Sequence, residues 1–151
     1  MNCCHRGVRA ALLALVCLTF PVRGAESIAG SVKIAQGGAV VRRGAQTIPI
    51  REGMHLLAND ILQTSGDGRV GAILQDGTRI ALGPNTELTI DRFIYEPVDG
   101  KFGLLLRLAR GVLAYVSGRI AQFAPDSVSV ETPVCVVGLR GTHFAVSIEG
   151  T

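Results

Sequence analysis

From residue 28 onward, turn signals cut the chain roughly every eight to twelve residues, and the segments between them alternate apolar with polar side chains. That rhythm constrains the fold more than anything else in the sequence. A helix needs an apolar stripe at spacings of three and four over ten or more residues, whereas a half-buried strand needs alternation over four to eight. Val70, Ala72 and Leu74 alternate with Arg69, Gly71 and Gln75; Thr78, Ile80 and Leu82 alternate with Arg79 and Ala81. Asp67-Gly68 and Asp76-Gly77 punctuate these runs as hairpin signals, and Gly83-Pro84-Asn85 marks a further corner. Ile48 and Ile50 flank Pro49, and a proline without an N–H belongs on a sheet edge. Leu104, Leu106 and Leu108 have helical propensity, but Gly103 and Gly111 bound them at strand length, so two strands are expected around Gly111. The expected fold is all-β, with no helix in the domain. Sandwich, barrel and solenoid share this rhythm.

Residues 132–149 are the most informative stretch. Thr132-Pro133 opens it, and the β-branched run 134–137 predicts a strand covered on both faces, with Cys135 buried inside it. Gly138 and Gly141 then bracket Leu139 and Arg140 in a corner where either glycine is free to take a positive φ. Thr142, Phe144, Val146 and Ile148 follow on alternate positions, as in a half-buried strand. Thr132, Pro133, Gly138, Arg140, Gly141, Thr142 and Phe144 are thus the residues expected to shape this region, as structure or as contacts to a partner. An arginine between two glycines aims its guanidinium at a carboxylate, in the domain or on a partner, and the internal bridge is preferred.

A Thr-Pro, an apolar run and then Gly-Leu-Arg-Gly-Thr-His-Phe-Ala-Val resembles the closing motif of the FecR domain. Residues 59–90, with an Asp-Ile-x-x-Thr entry, an Asp-Gly turn and a Pro-Asn-Thr corner, resemble that family's other recurring block. The resemblance implies a small β-solenoid or roll over residues 28–150, with a β-sandwich as the alternative. It also implies a periplasmic, non-enzymatic module that binds an envelope protein in signalling or regulation. The alternative is a structural or ligand-binding envelope protein on the same fold. A full regulator of this type resembles a sigma-binding segment, one transmembrane helix and the periplasmic domain. Here a short signal alone is expected ahead of the domain, which leaves no direct contact with a cytoplasmic sigma factor.

The first 24 residues read as a signal-peptide helix. Arg6 and Arg9 supply a positive start, residues 10–20 are uncharged and apolar, and Pro21 ends them, so cleavage is expected after Gly24, or after Ala25. The apolar run is about half the length of a membrane span, so no permanent anchor is expected. Val16 stands before Cys17, where a lipoprotein signal wants a small residue. The net charge of +3 comes from Arg6, Arg9 and Arg23, leaving 12 basic against 12 acidic residues, so the pI is no argument for nucleic acid. Of four cysteines, only Cys135 lies beyond the signal, which rules out an internal disulfide in the domain.

Sites of chemistry are sparse. Cys135 and His143 form the one nucleophile-and-base pair to weigh, yet a valine-flanked cysteine reads better as a small hydrophobe. His55, Cys135 and His143 have no metal-ligand spacing, and Asp67, Asp76 and Asp99 each precede glycine as turn residues do. With no Trp and two Tyr there is no aromatic platform, and no phosphate-binding loop or nucleophile elbow occurs. No catalytic residue and no cofactor is expected, and the ligand, if small, is unspecified.

Overall fold

A computed structural model describes residues 27–138 and 143–148. In chain order its strands are β1 (Ile28–Gln36), β2 (Ala39–Arg43), β3 (Gln46–Pro49), β4 (His55–Leu57), β5 (Ile61–Thr64) and β6 (Arg69–Leu74). They continue as β7 (Arg79–Leu82), β8 (Glu87–Glu96), β9 (Lys101–Val116), β10 (Val128–Glu131), β11 (Val136–Gly138) and β12 (His143–Ile148). The one α-helix among the described residues, α1 (Arg119–Phe123), lasts barely a turn and leads into a 3-10 turn at Pro125–Ser127. None is long and apolar enough to cross a membrane.

The strands form a mostly antiparallel sheet curled into an open half-barrel with two leaves. The first leaf runs β4, β1, β6, β7, the second half of β9, then β12. The second runs β3, β2, β5, β8, the first half of β9, β10 and β11. β10 is the exception to antiparallel pairing. It returns through α1 to lie parallel to β9, with Val128 opposite Leu104. Pro49 ends an edge strand, as its missing N–H requires.

β9 joins the leaves. Where the sequence predicted two strands, the structure has a single strand of 16 residues that bends through Gly111 at φ 91°. A positive φ inside a strand is open to glycine, so the residue that reads as a terminator is here a hinge in continuous pairing. Other chain segments cross between leaves at the same level. Gly37-Gly38, residues 65–68 and residues 83–86 form corners stacked on one another and on the Gly111 bend. Ser65 N donates to Gly38 O at 2.8 Å, Asn85 N to Ser65 O at 3.0 Å, and Gly83 N to Val112 O at 3.0 Å. Asp67-Gly68 is therefore no hairpin: β5 and β6 lie in different leaves and do not pair. Gly68 is needed for close approach, because a Cβ there would overlap Gly38 O. Asp76-Gly77 does make the β6–β7 hairpin, with Gly77 at φ 85°.

Threonines lock the stack. Thr64 Oγ1 donates to Gly83 O at 2.7 Å and accepts from Thr86 N at 2.9 Å; Thr86 Oγ1 accepts from Val112 N at 2.9 Å. Inside the curl, alternate residues of both leaves make one core, including Leu62, Leu88, Ile90, Leu106, Leu108 and Leu113, and Ile120 of α1 joins it. Each such side chain contributes about 1.5–3 kcal/mol by leaving water. Without a disulfide among the described residues, burial carries the stability.

Candidate partner-binding edge

The residues singled out by sequence separate into three places. Thr132 and Pro133 close the β10–β11 hairpin. Thr132 N donates to Cys135 O at 2.8 Å, and Cys135 N donates to Thr132 Oγ1 at 3.0 Å. Residues 132–135 are thus a turn with proline at its second position, where a preset φ is favoured. This corrects the expected buried strand over 134–137. Val134 is 82% exposed, Val136 is 66% exposed, and Cys135 is exposed and free, its Sγ 3.3 Å from Thr132 Oγ1. The strand begins at Val136, and among the described residues β11 pairs with β10 alone. Gly138 ends that strand without a positive φ, and a Cβ there would meet open space, so nothing in its own geometry demands glycine.

Phe144 lies elsewhere. β12 adds to the second half of β9, and the Phe144 ring packs on buried Tyr115 with centroids 4.9 Å apart. The β12 alternation is as expected, with Phe144, Val146 and Ile148 half-buried and His143, Ala145 and Ser147 exposed. Arg140, Gly141 and Thr142 lie outside the described residues, as does the segment read as a signal. Cys135 and His143 fall on the β10–β11 turn and on β12, and no hydrogen bond joins them. No group of three His, Cys, Asp or Glu gathers among the described residues.

Two buried polar groups escaped the sequence reading. Asp60, fully buried, takes a two-pronged bond from Arg43 (Nε to Oδ1 at 2.8 Å, Nη2 to Oδ2 at 2.7 Å) and another from Leu57 N at 2.8 Å. Asp76, read only as a turn residue, is buried too. It accepts from Thr78 Oγ1 at 2.7 Å, Thr78 N at 3.1 Å and Ile120 N at 3.4 Å. It thereby ties the β6–β7 turn to α1. Gly118 packs so closely there that a Cβ would overlap Thr78 N. Burial pushes the Tyr115 phenol up to about 12; Thr78 opposes the rise and the Asp76 carboxylate adds to it. The Thr78 hydroxyl donates to Asp76 and accepts from Gly118 N, and although it lies near enough to bear on the phenol, the Tyr115 hydroxyl makes no well-formed hydrogen bond. At the surface, the Ser65 hydroxyl and Gly38 N hold the Asp67 carboxyl below its usual range. Asp-Gly-Thr is the one sequence cue to the Asp76 cluster. Nothing local announces the Arg43–Asp60 pair, whose members stand 17 residues apart.

These polar groups fasten turns and leaves; the β11 edge instead leaves backbone and apolar side chains facing outward. The profile of the FecR protein family matches residues 60–151, well over half the chain. The chain belongs to the FecR family. No curated protein and no solved structure matches it. FecR proteins are a regulatory, envelope-associated family, generally without catalysis. The matched region runs from Asp60 through the Asp76 turn, the corner at residues 83–86 and both edge strands β11 and β12.

Proposed function

We propose that this FecR-family chain is an exported, non-enzymatic module that binds a partner protein of the cell envelope and thereby receives or modulates a signal. The observation that carries the reading is the β11 edge: a strand paired on one side, with Val136 and the adjacent Val134 turned to solvent. Unpaired strand edges recruit an extended segment of a partner, backbone bonds giving affinity and alternate side chains giving specificity. Thr132 and Pro133 set the angle at which this edge leaves β10, and Arg140 to Thr142 follow it in sequence as further contacts. Export rests on the 1–24 signal, and intact-mass measurement on chain recovered from a Gram-negative host should find those residues removed.

The binding claim is tested by pull-down from envelope extract with wild type, Val136→Lys and Val136→Pro. Both changes spare the core, since Val136 is exposed, so melting should be unchanged while a specific partner is lost. Retention of the same partner at the same yield by both variants would refute the edge as the binding site.

A further inference from the structure

The two leaves differ in whether acidic residues stand among the basic ones on their strands. Among the described residues, every acidic residue borne by a strand is in the second leaf: Glu87, Asp91 and Glu96 on β8 and Glu131 on β10. There the acids meet bases in pairs, Arg107 with Asp91 at 3.3 Å and Glu131 at 3.0 Å, and Arg110 with Glu87 at 3.5 Å, while Arg42 and Arg92 stand exposed without an ion pair among the described residues. Among the described residues the first leaf has no Asp or Glu on any strand, yet Lys33, Arg69 and Arg79 stand exposed on it. Among the described residues none of these three cations has an ion-pair partner. The register shows how they are laid out. His55, Ser31, Ile73, Arg79, Val116 and His143 form one outward cross-strand row over six strands. Beside it Gly71, Ala81, Ala114 and Ala145 keep the surface low. At the β4 end of the row an open groove of about 280 Å³ sits between aliphatic Ile28 and Ile73 on one side and Lys33 and His55 on the other.

We propose that this outer face of the first leaf docks an acidic protein segment, whose carboxylates meet Lys33, Arg69 and Arg79 and one of whose apolar side chains enters the groove. Three cations with no carboxylate of their own leave a field that only an anionic partner neutralises. The groove decides between kinds of anion: a slot walled by isoleucine beside a lysine suits an apolar side chain flanked by acids, and a layer of lipid headgroups has no use for it. The face is separate from β11, which lies in the second leaf, so the two readings fail independently.

The test is fluorescence anisotropy with a labelled peptide of eight glutamates around one central leucine. Wild type should bind it, and more weakly as ionic strength rises. Lys33→Gln, Arg69→Gln and Arg79→Gln together should weaken binding about tenfold, about twofold or a little more for each exposed pair. Removing the same charge elsewhere, through Arg42→Gln, Arg92→Gln and Arg119→Gln, should leave it nearly unchanged, as should Val136→Lys. Replacing the central leucine by glutamate should weaken it by emptying the groove. Equal losses from both triple variants would overturn the proposal, as would loss with Val136→Lys. So would failure to bind the peptide alongside firm binding to phosphatidylglycerol vesicles, which would assign the face to a membrane.

Discussion

Replacing Gly111 by alanine should be among the most damaging single-methyl changes available in this chain. Two costs combine at the site. The backbone sits at φ 91°, where an L side chain is strained by about 1–2 kcal/mol. The new Cβ would also overlap Thr86 Oγ1 and Thr86 Cα and come within 2.7 Å of Thr86 Cβ. Thr86 is itself fixed, accepting from Val112 N through its hydroxyl and donating N–H to Thr64, so it cannot turn aside. Overpacking of that kind adds about 1–3 kcal/mol. The sum, about 2–5 kcal/mol, is a large part of the 5–15 kcal/mol typical of a domain. At about 4 °C per kcal/mol, thermal unfolding followed by circular dichroism should show a fall of roughly 8–20 °C. Gly77→Ala is the matched control: φ is 85°, but no atom lies within 4 Å of the added Cβ, so only the backbone cost applies. Equal shifts for the two variants would refute the argument that Gly111 is needed for close packing of the corner stack.

Asp76→Ala should cost about 2–4 kcal/mol in chemical denaturation by leaving Thr78 N and Ile120 N buried without an acceptor. Tyr115→Phe should be neutral or slightly stabilising at pH 7, because the hydroxyl it removes is buried and unpartnered. The same variant should blunt alkaline unfolding. The folded phenol, at about 12, holds its proton more tightly than the unfolded one at 10.0, so its contribution is whole below pH 10 and lost as pH rises through about 12. Stability measured across that window should fall by the order of 2–3 kcal/mol in wild type beyond what the phenylalanine variant shows. Cys135 should react with a maleimide at the rate of an open thiol, and Cys135→Ser should leave melting within about 0.5 kcal/mol of wild type.

Much of the architecture was legible because period-two alternation reports directly which side chains face the core. Val70, Ala72 and Leu74 are buried as their spacing predicts, and Pro49 marks an edge for a reason local to its own ring. What alternation does not report is the leaf to which a strand belongs. Asp67-Gly68 has hairpin chemistry, yet its segment crosses between leaves, because the partners of β5 and β6 lie 20 residues or more away in most of the ladder. Gly111 misled for a related reason. A glycine that ends one strand and a glycine that bends a continuous one look alike until the pairing on both sides is known. Residues 134–137 failed differently: their β-branched content outweighed the Thr132-Pro133 turn signal, although a proline after a threonine places the turn before the strand rather than at its start. A strand was thus expected close to where β11 lies in the chain, with the wrong exposure assigned to it.

The central claim is that an envelope protein docks on the β11 edge. The most direct measurement is site-specific photocrosslinking in living cells, with a photoreactive residue at Val136 and, for comparison, at Arg42 on the opposite side of the second leaf. A single discrete adduct is expected from position 136, identified by mass spectrometry as one envelope protein and absent from position 42. No adduct at 136, or the same adducts from both positions, would contradict it.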